Sequence, residues 1–161
     1  MRVKRLKDLL NITAKNPDFN LSVTPLTSAQ VALLADGLPS DHLTLLKEIG
    51  QFCLSCGSCL IIDTYIPCRL AESPFFSFDL NSFENFESYL IYAHDVDGMC
   101  YGYDTRSKPF GSCAWDYFYN AAEKSHGVFH VIERAIAPDL EKLGVEPDYF
   151  QKVKSEDSPL T

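Results

Sequence analysis

Long apolar runs are missing from this 161-residue chain, and their absence excludes a membrane-spanning helix of ordinary length. No stretch approaches the roughly 18 apolar residues that a helix needs to cross a bilayer. The amino-terminal segment is basic, but no apolar core and no small-residue cleavage site follow it, as a secretory signal would require. The sequence therefore predicts a soluble, cytoplasmic protein without a membrane partner.

Positive charge is also scarce, since 14 Lys and Arg stand against 22 Asp and Glu and the net charge is −8. A nucleic-acid binder needs a basic face to contact phosphates, so direct nucleic-acid binding is not expected. The acids concentrate between Asp63 and Asp116, whereas the segment from Met1 to Lys15 is net positive. This balance fits a protein whose partner is basic.

Catalytic motifs are the third absence. The sequence contains no Gly-rich phosphate loop, no nucleophile elbow and no dinucleotide fingerprint. Its carboxylates are numerous, but no spacing marks two of them as an acid–base pair. We expect a protein without catalytic activity and without a cofactor.

The overall composition is typical of a globular protein, with 46% apolar and 12% aromatic residues. The length allows one domain with a real core and is too short for two of ordinary size. The sequence predicts a single domain over residues 1–150 and a flexible tail over residues 151–161.

Helical periodicity dominates both ends of the chain. The predicted helices cover roughly residues 2–15, 28–36, 40–49 and 126–143. Ser28 and Ser40 are the expected N-caps of the second and third helices. Gly50 is the expected C′ residue of the third helix, and Pro138 is expected to kink or divide the last one.

Strand periodicity begins at about residue 58. Residues 59–66 and 75–80 read as strands, residues 81–88 as a loop or single helical turn, and residues 117–124 as a loop or short helix. The stretch from Tyr89 to Asp116 predicts two short strands around a tight Asp-Gly turn, followed by a strand that ends in Trp115-Asp116. The order predicts an α+β fold, with a central antiparallel sheet flanked by N-terminal helices and a C-terminal helix.

Three cysteines, Cys53, Cys56 and Cys59, have the Cys-x-x-Cys-x-x-Cys spacing of a metal or redox site. Zinc sites usually pair two separated knuckles, and iron–sulfur loops of this type usually add a nearby fourth cysteine and a proline. Neither accompaniment is present, so buried or incidental thiols are the favoured interpretation. A metal site or a redox pair stays open as the alternative. The six cysteines are expected to be reduced, because no secretory signal precedes them.

Two further patterns resemble metal sites. His126, His130 and Glu133 can share one face of a helix, but they also form the ordinary wet face opposite its apolar residues. Asp95 and Asp97-Gly98 suggest a calcium loop, but the glutamate required at position twelve is absent. A hairpin turn explains the Asp-Gly pair sufficiently, because such turns need positive φ.

Two segments together resemble the SUKH superfamily, which contains the Smi/Knr-like proteins and Syd. The first runs from Leu38 to Gly50, where the family shows Leu-Pro, an aromatic, Phe/Leu-Leu, an aromatic and Asn-Gly. Leu38, Pro39, Leu45 and Leu46 match this pattern, His42 and Ile49 replace the aromatics, and Gly50-Gln51 stands where Asn-Gly is usual. The second is the Tyr89–Asp116 stretch, with Gly98, the Tyr-rich strand to Asp104 and the Trp115-Asp116 pair. The resemblance covers roughly residues 28–137.

The resemblance implies a binding module. Bacterial members are typically immunity proteins that neutralise toxins, often nucleases, and fungal members are regulatory scaffolds. An acidic protein can occupy the basic groove of a nuclease, so the expected partner is a basic cognate toxin. The candidate contacts are acids near the sheet edge and loops, namely Asp63, Glu72, Asp79, Glu84, Glu87, Asp95 and Asp97. Three tyrosines are candidate anchors if exposed, namely Tyr92, Tyr101 and Tyr103. A regulatory scaffold without a toxin partner is the remaining alternative.

Overall fold

A computed structural model describes residues 2–34, 37–72, 86–106, 110–115, 123–124 and 127–151. Within these ranges the α-helices are α1 Arg2–Thr13, α2 Ser28–Leu34, α3 Ser40–Glu48 and α4 Val128–Ile136. The strands are β1 Phe19–Thr24, β2 Gln51–Cys56, β3 Cys59–Arg69, β4 Tyr89–Asp95, β5 Cys100–Asp104, β6 Gly111–Trp115 and β7 Glu123–Lys124. The predicted α+β class is confirmed.

The first helix follows its apolar spacing. Leu6, Leu9 and Leu10 recur on one face of α1 and are buried. Thr13, also buried, satisfies its hydroxyl by donating to the carbonyl oxygen of Leu9 at 2.9 Å. The helix therefore ends close to the predicted position, before Pro17.

The N-caps predicted for α2 and α3 were wrong by one residue each. Thr27, not Ser28, caps α2: its hydroxyl accepts from the backbone N–H of Gln30 at 3.3 Å, and the Gln30 side chain accepts from the Thr27 N–H at 2.8 Å. This reciprocal pair is a capping box. At α3 the N-cap is Pro39, and Ser40 is the first helical residue. In both places the serine has already entered the helix.

Gly50 ends α3 as predicted. Its φ of 97° lies in the region that favours glycine, and its N–H donates to the Leu45 carbonyl at 3.1 Å. The backbone of Thr24 and Pro25 approaches it so closely that a Cβ at this position would overlap the Thr24 carbonyl and lie 2.8 Å from the Pro25 Cα. Glycine is therefore required here for both its conformation and its lack of a side chain.

The sheet is an antiparallel meander in which each strand pairs with its neighbours in chain order, from β1 to β7. Three of its strands, β1, β2 and β7, were not predicted. The sheet was expected to begin near residue 58, whereas β1 and β2 precede that point. Cys56 of β2 pairs directly with Cys59 of β3 across the Gly57-Ser58 turn. The cysteine motif is therefore a β-hairpin.

The Tyr89–Asp116 stretch has the predicted organisation over its described residues. β4 and β5 flank the loop 96–99, in which Gly98 has a φ of 77°. β6 pairs with β5 and ends at Trp115. Residues 86–88 form a single 3-10 turn, as one reading of that segment expected. In residues 117–124 the structure describes only β7, a strand where a loop or short helix was expected.

Proline divides the last helical region, as predicted. α4 ends at Ile136, and Pro138 lies at the start of the 3-10 turn Ala137–Asp139. A second 3-10 turn, Glu141–Leu143, ends at Gly144, whose φ is 68°. Residues beyond it are tied to α1: the Arg5 side chain donates to the Tyr149 carbonyl, and the Tyr149 hydroxyl donates to the Arg5 carbonyl, both at 2.8 Å.

One hydrophobic cluster joins α1, α3 and α4 to the sheet. Its fully buried members include Leu9, Leu54, Ile62 and Ile132. Among the described helices, none is long and apolar enough to traverse a membrane. The predicted strand over 75–80, His126, Asp116 and the predicted tail beyond Gln151 lie outside the described residues.

Candidate functional site

The exposed candidate acids form two groups at opposite ends of the sheet. Glu72 and Glu87 lie on neighbouring 3-10 turns, one directly after β3 and the other directly before β4. Asp97 lies in the β4–β5 loop at the other end of β4. Seven residues of extended chain separate these ends by roughly 20 Å. Asp79 and Glu84, two more predicted contacts, lie outside the described residues.

These three exposed carboxylates make no salt bridge with any residue that the structure describes. The ion pairs recorded there use other acids, such as Glu48 with Lys7 at 2.7 Å and Asp104 with Arg106 at 2.7 Å. Glu72, Glu87 and Asp97 therefore keep their charge available to a basic partner.

Asp95 has a structural role in its loop, and its role as a partner contact stays a prediction. One carboxylate oxygen accepts from the backbone N–H groups of Asp97 and Met99, at 3.0 and 3.1 Å. The other accepts from the Tyr101 hydroxyl at 2.6 Å. An Asx turn of this kind holds the loop closed, so both oxygens are already in use.

Asp63 lies in a row of polar side chains that crosses three strands. It pairs with Cys53 of β2 on one side and with His94 of β4 on the other. Partial burial raises the pKa of Asp63, although the His94 imidazole and the hydrogen bond from Cys53 both favour its charged form. Asp63 is half-buried, so it is a poorer candidate for a partner contact than the acids in the turns.

The chemistry of this row does not suit a cysteine nucleophile. A catalytic thiol needs an adjacent imidazole or cation that favours the thiolate. Here the carboxylate stands between Cys53 and His94, and the pKa of Cys53 is raised by burial and by the Asp63 charge. Burial also lowers the pKa of His94. The arrangement keeps the thiol protonated.

His94 was not identified from the sequence. A strand register decides which residues face each other, and nothing local in the β4 sequence marks His94 as the neighbour of Asp63. The only indication in the sequence was that His94 lies at the end of a predicted strand, directly before the acidic loop.

The three tyrosines proposed as surface anchors are buried, which corrects that prediction. Tyr92, Tyr101 and Tyr103 are 0%, 3% and 1% exposed. The Tyr103 hydroxyl lies 2.9 Å from Nδ1 of the buried His42, and burial lowers the pKa of His42 to about 3. A neutral imidazole paired with a phenol is a core hydrogen bond. Tyr92 and Tyr103 therefore pack against His42 of α3, and Tyr101 belongs to the same hydrophobic core.

The three clustered cysteines do not converge, which argues against the alternative of a metal site. Phe52, Leu54 and Cys56 occupy alternate positions of β2, and Phe52 and Leu54 are buried in the core. Cys53 lies between these positions, so it faces the opposite side of the sheet from Cys56. Cys56 packs against the core cluster. No group of three His, Cys, Asp or Glu side chains suited to a metal ion occurs among the described residues.

Glu133, one of the residues considered for a metal site around His130, takes part in a structural contact instead. His126 lies outside the described residues, and His130 is exposed on α4. Glu133 pairs with Arg2 of α1 at 3.7 Å. This ion pair links α1 to α4 and assigns Glu133 to a helix–helix contact.

An apolar surface on α2 was also missed. No residue of α2 is buried, and Leu33 is 87% exposed. Beside it, a shallow groove between α2 and α3 is lined by Val31, Ala32 and Leu43. The Leu33-Leu34 pair was the available signal, but helical periodicity cannot tell which apolar residues a tertiary contact will cover.

Comparison of the chain with family models, with curated proteins and with solved structures found no match.

Proposed function

We propose that this protein is a non-catalytic binding module of SUKH type: a cytoplasmic immunity protein that neutralises a basic, nuclease-type toxin of a bacterial competition system. The observation that carries the proposal is the set of exposed carboxylates at both ends of the sheet, which form no ion pair within the described part of a chain of net charge −8. The resemblance carried by the Leu38–Gly50 segment and the β4–β6 strands supports the family.

The charge distribution supports a large basic partner. Glu72 and Glu87 are separated from Asp97 by the length of β4, and that distance suits a partner with an extended cationic groove. Acids at the rim of such an interface increase the association rate and select against acidic competitors. Salt screens these interactions, so the association must weaken as ionic strength rises.

The internal chemistry supports a role without catalysis. Tyr101 holds Asp95, Tyr103 holds His42, and Cys53 faces a carboxylate that opposes its ionisation. In each of these three clusters the polar side chain has a structural partner.

The test is a binding titration against the protein toxins encoded next to this gene. The wild type is expected to bind one of them and to suppress its nuclease activity, with an affinity that falls at least about tenfold between low and high salt. A double charge reversal, Glu72→Lys with Glu87→Lys, is expected to weaken binding about tenfold or more, mainly through the association rate.

A matched control separates location from net charge. Glu141→Lys with Glu146→Lys changes the net charge equally on exposed residues of the C-terminal segment. This control is expected to retain most of the wild-type affinity. Equal losses in the two double variants, or binding that ignores salt, would overturn the proposal. A partner that binds but has no toxic activity would favour the regulatory scaffold.

A further inference from the structure

Two thiols stand side by side at the tip of the β2–β3 hairpin. Cys56 and Cys59 are direct cross-strand partners on either side of the Gly57-Ser58 turn. Directly opposed residues of an antiparallel pair have Cα atoms about 4.5–5.5 Å apart, which lies within the range of about 4.4–6.8 Å that a disulfide spans. Both thiols are free in this structure.

The hairpin tip is held in place by hydrogen bonds to the start of β1. The Gly57 N–H donates to the Asp18 carbonyl at 3.0 Å, and the Asn20 side chain donates to the Gly57 carbonyl at 3.3 Å. Gly57 has a φ of 58°, as a tight two-residue turn requires. These contacts fix the backbone of the hairpin tip, so Cys56 and Cys59 stay opposite each other across the strand pair.

The two thiols differ in access. Cys59 is exposed, whereas Cys56 is half-buried against the core and lines a surface groove with Asn20 and Lys142. The pKa of Lys142 is raised chiefly by its hydrogen bond to Asp139 and to a lesser extent by Cys56 and Cys59, which places its cationic side chain near the pair.

The other described thiols are less suited to exchange. Burial raises the pKa of Cys53 and Cys68, and it raises the pKa of Cys100 to about 12. Cys53 also lies on the opposite sheet face from Cys56. The pair at the hairpin tip is thus set apart by the exposure of Cys59 and by its cross-strand geometry.

We propose that Cys56 and Cys59 form a reversible dithiol–disulfide site that reacts with low-molecular-weight disulfides of the glutathione class. The exposed Cys59 thiolate attacks one sulfur of the external disulfide, forms a mixed disulfide and releases one thiol. Cys56, as its thiolate, then attacks the Cys59 sulfur and releases the second thiol. The protein loses two electrons and two protons, and the external disulfide is reduced to two thiols. This reactivity goes beyond toxin binding and does not depend on it.

The test uses the full-length protein with oxidised glutathione and follows the products by intact and peptide mass spectrometry. The wild type is expected to lose two hydrogen atoms, with the link mapped to Cys56 and Cys59, and to recover them with dithiothreitol. Cys56→Ser is expected to stop at a stable glutathione adduct on Cys59. Cys59→Ser is expected to react at the hairpin at least about tenfold more slowly, because the exposed attacking thiol is gone. Cys53→Ser, the control from the other face, is expected to behave as the wild type.

A second measurement tests whether the fold contributes. The equilibrium constant for forming the internal disulfide is compared between native protein and protein in urea. If the hairpin holds the thiols in place, the native constant exceeds the denatured one about tenfold or more, since fixed neighbours form the bond with less entropy loss. A native constant equal to or below the denatured one would overturn the proposal. So would a wild-type disulfide mapped to Cys53 or Cys68, or persistence of the mixed disulfide in the wild type.

Discussion

Replacing Gly50 by alanine tests a close approach of the Thr24–Pro25 backbone to a glycine. The residue has a φ of 97°, and an L side chain in the positive-φ region costs about 1–2 kcal/mol. The added Cβ would also overlap the Thr24 carbonyl and lie 2.8 Å from the Pro25 Cα. Both obstructing groups are backbone atoms, so a rotamer change cannot relieve the overlap.

The expected loss is large compared with the stability of a small domain. Overpacking of this kind adds about 1–3 kcal/mol. The reduced entropy of the unfolded chain returns about 0.4–1 kcal/mol. A net destabilisation of about 3 kcal/mol follows, and in a domain of this size it lowers Tm by about 10 °C.

Gly144→Ala provides the matched control. Gly144 has a similarly positive φ of 68°, but nothing lies within 4 Å of the position that a Cβ would occupy. We expect this variant to lose about 1 kcal/mol, from strain alone. Thermal melts and urea titrations of wild type and both variants measure the difference. Equal Tm values for the two variants would refute the reasoning, because the Thr24–Pro25 contact would then carry no cost.

The remaining predictions concern a buried imidazole and a helix cap. The folded-state pKa of His42 is about 3 against an ordinary 6.5, so below pH 6.5 the unfolded chain binds a proton that the folded chain does not. The free energy of unfolding is therefore expected to fall by up to about 1.4 kcal/mol per pH unit as the pH drops from 6.5 towards 3, and to fall less steeply in His42→Gln. Urea midpoints that change equally with pH in the two proteins would contradict this. Thr27→Ala removes the cap of α2 and is expected to cost about 1 kcal/mol in urea unfolding, whereas Ser28→Ala is expected to change stability little; the reverse order would contradict the observed cap.

The sequence predicted those elements whose signal is local. The Asp-Gly turn between β4 and β5 was recognised because positive φ at Gly98 is a local requirement. Pro138 interrupted the last helix as expected, because a proline ring prevents a helix from continuing unchanged. Gly50 was correctly placed after α3 for a similar reason.

Predictions that depended on tertiary neighbours were less successful. β1 was not predicted, although its apolar and polar residues alternate, because a six-residue segment close to two prolines is too short for that pattern to identify an edge strand that pairs only with β2. Tyr92, Tyr101 and Tyr103 are typical strand residues, but their exposure depends on the helices that cover that face of the sheet. Cys53 was grouped with Cys56 by spacing alone, whereas the pleat of β2 places them on opposite faces.

By itself, therefore, the sequence determined the α+β class, the acidity, the Asp-Gly turn and the chain breaks at Gly50 and Pro138, because these follow from composition and from backbone conformations available to single residues. Only the tertiary structure decided which side chains meet. Strand register placed Asp63 between Cys53 and His94, brought Cys56 opposite Cys59, and separated Glu72 and Glu87 from Asp97 by the length of β4. The physical reason is that pairing across strands is set by burial of one sheet face and by the hydrogen-bond ladder, both of which involve residues distant in the chain.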